Sequence, residues 1–179
     1  MSRDADQPIQ TMWEGKYIIA RKQGRWEFVG RNRGISAAVI LAIDEGHVLL
    51  VEQYRPPLRS LCLELPAGLV GDETEGETVE TAAGRELEEE TGWRPARIEA
   101  LGRFASSPGM VSETFTLVRA EGLTRVSEGG GVAGEDIQVY RVPLADIHAF
   151  VAQRRAAGVA MDVKLLLLLG AGMIADGAG

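Results

Sequence analysis

Cysteine is nearly absent. Cys62 is the single thiol in 179 residues, so no disulfide can form within the chain, and cohesion must come from a core. An excess of positive charge is missing as well. Lys and Arg number 19 against 26 Asp and Glu, a formal net charge of -7. That balance argues against broad nucleic-acid binding, because a phosphate backbone calls for a basic face. There is no long apolar run. The longest, residues 165–174, holds two glycines and falls short of the roughly 20 residues that cross a bilayer. It reads as part of a buried terminal helix. Residues 1–8 are polar and lack the apolar stretch of a secretory signal. The expectation is a cytoplasmic protein with neither a membrane nor a nucleic acid as partner.

What is present is apolar material, 45% of the residues, enough for one globular domain with a single core. Residues 1–10 read as a loose tail and 11–179 as one domain. Within it, residues 11–30 form a predicted β-hairpin, strand-like over 16–21 and 25–29 around a turn at Gln23-Gly24. Two core strands follow, 35–43 and 47–53, joined through Asp44-Glu45-Gly46. A short strand over 61–65 ends at Pro66-Ala67-Gly68, and an acidic, Gly-rich loop covers 71–76. A helix is predicted over 78–91: Val79, Ala83 and Leu87 recur every four residues, Ala82 widens the stripe, and Gly92 suits a C-terminal stop. Strand patterns return at 98–104, 114–118 and 137–142, and helices at 144–156 and 161–170. This order is mixed α/β without regular βαβ alternation.

The helix over 78–91 carries the chemistry. Glu86, Glu89 and Glu90 stand at i, i+3 and i+4, so they share a face and repel one another. A hard divalent cation such as Mg²⁺, which prefers oxygen ligands, would offset that repulsion. A solvated charged face is the plain alternative for any run of glutamates. The surroundings favour the first reading: Arg85 precedes the cluster, an apolar face opposes it, Gly92 closes it, and the acidic loop leads into it.

Gly71, Glu77, Arg85, Glu86, Leu87, Glu89, Glu90, Gly92 and Trp93 match the spacing of the Nudix box, G-x5-E-x7-R-E-U-x-E-E-x-G-U, where U is a bulky apolar residue. The chain therefore resembles the Nudix hydrolases, and residues 68–93 are its box region. The resemblance implies an α/β/α sandwich with a mixed sheet, the N-terminal β-hairpin added to it. It also implies Mg²⁺- or Mn²⁺-dependent cleavage of a pyrophosphate bond. Glu86 and Glu90 would bind metal, with Glu89 an additional or water-mediated ligand. Arg85 would pair with a carboxylate such as Glu77 and orient the site. Catalytic roles fall to Glu135, Arg85 and Glu89. Glu135 would be the general base on the Gly-rich loop 127–134 and the residues just after it, with Glu128 the runner-up. In ADP-ribose pyrophosphatases Pro-Ala-Gly opens the box, whereas here Pro66-Ala67-Gly68 lies three residues before Gly71. With three residues inserted, Gly68 becomes the structural first glycine and the carbonyl of Ala67 a metal ligand.

The strings VEQYRPPL, LELPAG and SSPGMVSE resemble the ADP-ribose pyrophosphatase subgroup. ADP-ribose is the leading substrate, ahead of GDP-mannose, other nucleotide sugars and dinucleotide polyphosphates. A non-catalytic nucleotide-binding module is the reading from a different class. Arg55 suits a phosphate contact, since a guanidinium makes paired hydrogen bonds to phosphate oxygens. Met110 and Glu113 are placed at the terminal ribose. Tyr17, Arg25 and Trp26 offer an aromatic and cationic surface on which adenine could stack. Related enzymes take such residues from the second subunit of a homodimer, so residues 11–30 are also the expected dimerisation element. Trp13 and Trp93 are assigned to packing, and His47 and His148 to structure.

Overall fold

The structure, a computed structural model, describes residues 4–32, 35–71, 76–132 and 134–176, the last three by backbone alone. The first three strands, β1 (Ile9–Glu14), β2 (Ile18–Gln23) and β3 (Trp26–Arg31), make an antiparallel sheet in that order. The expected hairpin is present as β2 and β3, but a third strand joins it, beginning at Ile9 within the stretch read as a loose tail. All six β1 side chains are exposed. A strand held by backbone pairing alone leaves no burial period in the sequence, and β1 is such a strand. Residues just before it are tied down too: the Gln23 side-chain amide donates to the carbonyls of Ala5 and Gln7, at 3.1 and 2.9 Å.

The main sheet comprises β4 (Ser36–Asp44), β5 (His47–Arg55), β6 (Ser60–Glu64), β7 (Ala67–Val70), β9 (Arg97–Ala105), β10 (Thr114–Glu121), β12 (Gln138–Pro143) and β13 (Ala160–Met161). Its order is β13-β6-β5-β4-β10-β9, with β12 added to β5 and β7 to β4. The β4–β10 and β6–β13 pairs are parallel and the others antiparallel, so the sheet is mixed. A small pair, β8 (Trp93–Arg94) and β11 (Thr124–Arg125), follows helix α1 (Val79–Thr91). Helices α2 (Ile147–Ala156) and α3 (Leu166–Asp176) are each entered through a turn of 3₁₀-helix.

Side chains alternate across a strand, and β4 shows the result. Ala38, Ile40 and Ala42 pack with Ala83 and Leu87 of α1. Val39, between them, packs with Ile147 and Val151 of α2 and Leu169 of α3. Both faces of the sheet are covered, giving the α/β/α sandwich expected. Leu87 is fully buried, so its truncation to Ala should cost about 2–5 kcal/mol.

Two sequence expectations are corrected. The terminal apolar run does not make a wholly buried helix. Leu165 and Leu169 are buried, whereas Leu166, Leu167 and Met173 lie half in solvent, because a helix resting on one face of a sheet can bury only one stripe. Trp13 is likewise not a core residue; it is 57% exposed on β1, with its ring over Gly15. Trp93 does pack, against the core beneath α1. Among the described residues no helix is long and apolar enough to cross a membrane.

Candidate active site

Helix α1 is fixed by its two ends. At the start, the Thr78 hydroxyl accepts the Thr81 N–H at 3.2 Å, a cap of about 1 kcal/mol. At the end, Gly92 takes the left-handed conformation and its N–H bonds to the Glu88 carbonyl. With Ala83 and Leu87 turned into the sheet, Glu86 and Glu90 face β7 and line a cavity of about 400 Å³. Residues 72–75 of the acidic loop lie outside the described residues.

The floor of the cavity is tightly built. The Ala67 N–H donates to Glu90 Oε2 at 3.1 Å. Gly68 is the glycine that backs onto Glu86: a Cβ there would stand 1.9 Å from the Glu86 carboxyl carbon. Arg85 is shared among three carboxylates. Its Nη1 reaches Glu86 at 3.0 Å and Glu89 at 3.2 Å, and its Nε and Nη2 reach Glu77 at 3.4 Å. Glu77 is thus the partner anticipated for Arg85, and its side chain is 6% exposed. Glu89 does not line the cavity; it is paired with Arg85, its side chain 34% exposed.

Burial pushes the Glu90 carboxyl up to about 8. The Ala67 N–H opposes that rise, while the charges of Glu86 and Glu135 add to it. The carboxyl groups of Glu86, Glu90 and Glu135 therefore lie close enough to feel one another, and together they line one cavity with their oxygens. That chemistry fits a hard divalent cation. Among the described residues no three acidic, His or Cys side chains form a ready-made cage.

Opposite the helix, Arg55 is held by Glu64 in a fork, Nε at 2.6 Å and Nη2 at 2.8 Å. The Glu64 carboxylate is 8% exposed and raises the Arg55 guanidinium further above its ordinary value. Arg31 pairs with Glu113 at another side of the cavity. Glu135 lines it too, with Oε2 accepting the Val132 N–H at 3.0 Å. Glu128 is not among the lining residues; its side chain is 92% exposed and bonded to Arg125.

The remaining candidates lie elsewhere in the chain. Met110 is exposed, and its carbonyl accepts the Val29 N–H, which ties the Ser-Pro-Gly loop to β3. Tyr17, Arg25 and Trp26 are exposed and none lines the acidic cavity. Tyr17 sits beside Asn32 and Trp26 beside Gln23, at opposite ends of the β2–β3 ladder and roughly 20 Å apart by strand rise. One chain does not bring them to a common ligand. Trp26 instead walls a separate cleft with Phe28 and Pro108, and Arg25 bonds to Asp4. Neither histidine reaches the cavity: His47 bonds to the Glu45 carbonyl, and the His148 ring lies against Gly172.

Arg31, Glu64 and Lys164 also line the cavity and were not picked out from the sequence. Glu64 had a signal, an acid within an otherwise apolar strand. Arg31 had none, since its place depends on a pairing with Glu113 far along the chain; Lys164 pairs only locally, with Asp162, and nothing in the sequence ties that pair to the cavity.

Comparison with known proteins places this architecture. A family model described as the NUDIX domain matches residues 32–161, so the chain belongs to the Nudix family. It is 34% identical to the ADP-ribose pyrophosphatase of Bacillus subtilis over 120 residues, which span 66% of this chain and 63% of that protein. The match thus covers less than two thirds of that relative's length. The GDP-mannose pyrophosphatase of Cronobacter sakazakii is also 34% identical, over 165 residues, 86% of this chain and 82% of that protein. A solved structure titled as an ADP compounds hydrolase superposes with a TM-score of 0.69, covering 95% of this chain and 94% of its own at 22% identity, a likeness of fold.

Proposed function

We propose that this chain hydrolyses the pyrophosphate bond of a nucleoside diphosphate joined to another moiety, with ADP-ribose, cut to AMP and ribose 5-phosphate, as the leading substrate. The observation that carries the reading is the convergence of Glu86, Glu90 and Glu135 on one cavity that also holds Arg31 and Arg55. Two arginines suit a doubly anionic diphosphate, and the acidic floor suits the cation that must accompany it.

Glu86, Glu90, Glu89 and the carbonyl of Ala67 are the groups assigned to hold Mg²⁺ or Mn²⁺. Gly68 standing against Glu86 supports reading Gly68, rather than Gly71, as the first glycine of the box. A bound divalent ion would neutralise phosphate charge and make water a better nucleophile. The chain's own residues do the rest. Arg55, held by Glu64, receives the phosphate oxygens. Arg85 bridges Glu86 and Glu89 through one nitrogen and orients both. Glu135 takes the proton from the water whose oxygen attacks phosphorus. The bridging P–O bond then breaks, and its oxygen leaves with the second phosphate. Glu113 accepts hydroxyl hydrogen bonds from the terminal ribose near Met110. In a homodimer built through residues 11–30, a second copy of the chain would offer adenine either Tyr17 or Arg25 with Trp26, because the two ends of the β2–β3 ladder are too far apart to meet one base.

The test is phosphoryl-product release from ADP-ribose with and without Mg²⁺, in the wild-type protein and in Glu135→Gln. Glu135→Gln should lower turnover by about 100-fold or more while Mg²⁺ still binds. Equal turnover in the two proteins removes Glu135 from the mechanism, and no Mg²⁺-dependent product from either ADP-ribose or GDP-mannose favours a binding module. A second substrate reading, GDP-mannose, rests on the broader match to the Cronobacter relative. The ratio of kcat/KM values for the two substrates decides between them.

A further inference from the structure

The last turn of α1 and the first residues of the Gly-rich loop interlock through their backbones. Gly92 has a φ of 77° and Gly129 a φ of 69°. A Cβ on Gly129 would lie 2.3 Å from the Thr91 carbonyl carbon and 2.6 Å from the Gly92 nitrogen. A Cβ on Gly92 would lie 2.3 Å from the Ser127 oxygen and 2.7 Å from the Gly129 nitrogen. These neighbours are main-chain atoms and cannot swing aside.

The closeness has a purpose in hydrogen bonds. The final carbonyls of a helix have no partner within it. Here the loop supplies them: the Gly130 N–H bonds to the Glu90 carbonyl at 2.8 Å and the Gly131 N–H to the Glu89 carbonyl at 3.0 Å. The N–H groups of Val126 and Ser127 both reach the Gly92 carbonyl, at 2.8 and 3.2 Å. Further on, the Ile137 N–H returns to the Gly130 carbonyl at 3.2 Å, and the Ile137 side chain is buried. Glu135 lies on the segment between Gly130 and Ile137, and both ends of that segment are anchored.

We propose that Gly129 is a positioning residue for the hydrolysis, and that its side-chain-free contact with Gly92 registers the Glu135 loop against the turn of α1 that carries Glu89 and Glu90. The inference rests on the proposed role of Glu135 as base. Gly129 lies outside the box motif, and only the contact made by the folded chain connects it with Gly92.

The experiment is a double-mutant cycle on the full chain with Mg²⁺ and ADP-ribose. Gly129→Ala should lower kcat by about 10- to 100-fold, the scale of a displacement of about 1 Å in a reacting group. KM and the Mg²⁺ concentration at half activity should stay within about threefold. Gly158→Ala is the reference: its backbone is also left-handed, but a Cβ there meets nothing, and its kcat should stay within about threefold of wild type. Added to Glu135→Gln, Gly129→Ala should cost less than about threefold more, because both changes disable one function.

Full turnover in Gly129→Ala, alongside a disabled Glu135→Gln, overturns the positioning role. So does a full multiplicative loss in the double variant. Full turnover in Glu135→Gln alone overturns the base assignment instead. If Gly129→Ala does not fold, amide exchange in the wild-type protein decides. Gly130 and Gly131 N–H groups that exchange as slowly as the last turn of α1 support the lock, and exchange at open-loop rates overturns it.

Discussion

Two buried carboxylate–arginine forks sit on neighbouring strands of the same sheet and face different tasks. Glu52 on β5, 4% exposed, is gripped by Arg154 of α2 at 2.8 and 2.5 Å, and the guanidinium lies 5.6 Å from the Tyr140 ring. Glu64 on β6 is gripped by Arg55 at almost the same distances. The first fork joins a helix to the sheet and touches no part of the acidic cavity. The second joins the end of β5 to β6 and turns its arginine toward Glu90 and Glu86. The chemistry of the pair is shared; what differs is whether the arginine's outer edge meets protein or an open cavity.

The largest effect should come from the packing fork. Glu52→Ala removes the partner of an arginine that keeps only a quarter of its side chain in water, and should cost about 3 kcal/mol in denaturant unfolding, the lower end for breaking a buried pair. kcat/KM below the melting transition should be unchanged. A fall in kcat/KM there would break the comparison. Arg55→Lys keeps the charge but loses the planar fork, and should lower kcat/KM by about 10- to 100-fold with little change in stability. Wild-type kinetics in that variant would return Arg55 to a purely structural role.

Cys62 sharpens the comparison further, because it lies on β6 two residues from Glu64. Burial, with the Glu64 charge adding to it, pushes the thiol up from its ordinary value near 9 to about 12. The folded state favours the protonated thiol. That contribution is complete below pH 9 and is lost as pH rises through 12. Cys62→Ala should therefore flatten part of the decline in denaturant midpoint above pH 9, and native Cys62 should resist alkylation at pH 8 until the chain unfolds. The smallest effect belongs to a third fork, Arg94–Glu88, at 2.7 and 2.8 Å but on the surface. Arg94→Ala should leave Tm and turnover unchanged within error, since solvent-exposed pairs contribute little.

How much of this was legible in advance depended on how local the cause was. Helix α1 could be read nearly to the residue, because Thr78, the stripe through Leu87 and Gly92 act within a turn or two of themselves. The turn at Glu45-Gly46 and the core strands beside it were legible for the same reason. β1 was not, because its pairing with β2 buries no side chain. The exposed side of α3 was not, because apolar letters do not tell which stripe a neighbour will cover.

By itself the sequence determined the family motif, the helix that presents Glu86 and Glu90, and the alternation that makes β4 a two-faced central strand. These follow from φ/ψ preference and periodicity, which short segments already carry. Only the tertiary structure decided that Glu64 would hold Arg55, that Arg31 would meet Glu113 across the cavity, and that Gly129 would press on the end of α1. Those contacts join residues far apart or on opposing elements. They arise where separate strands, loops and the end of α1 meet, a constraint no single segment contains.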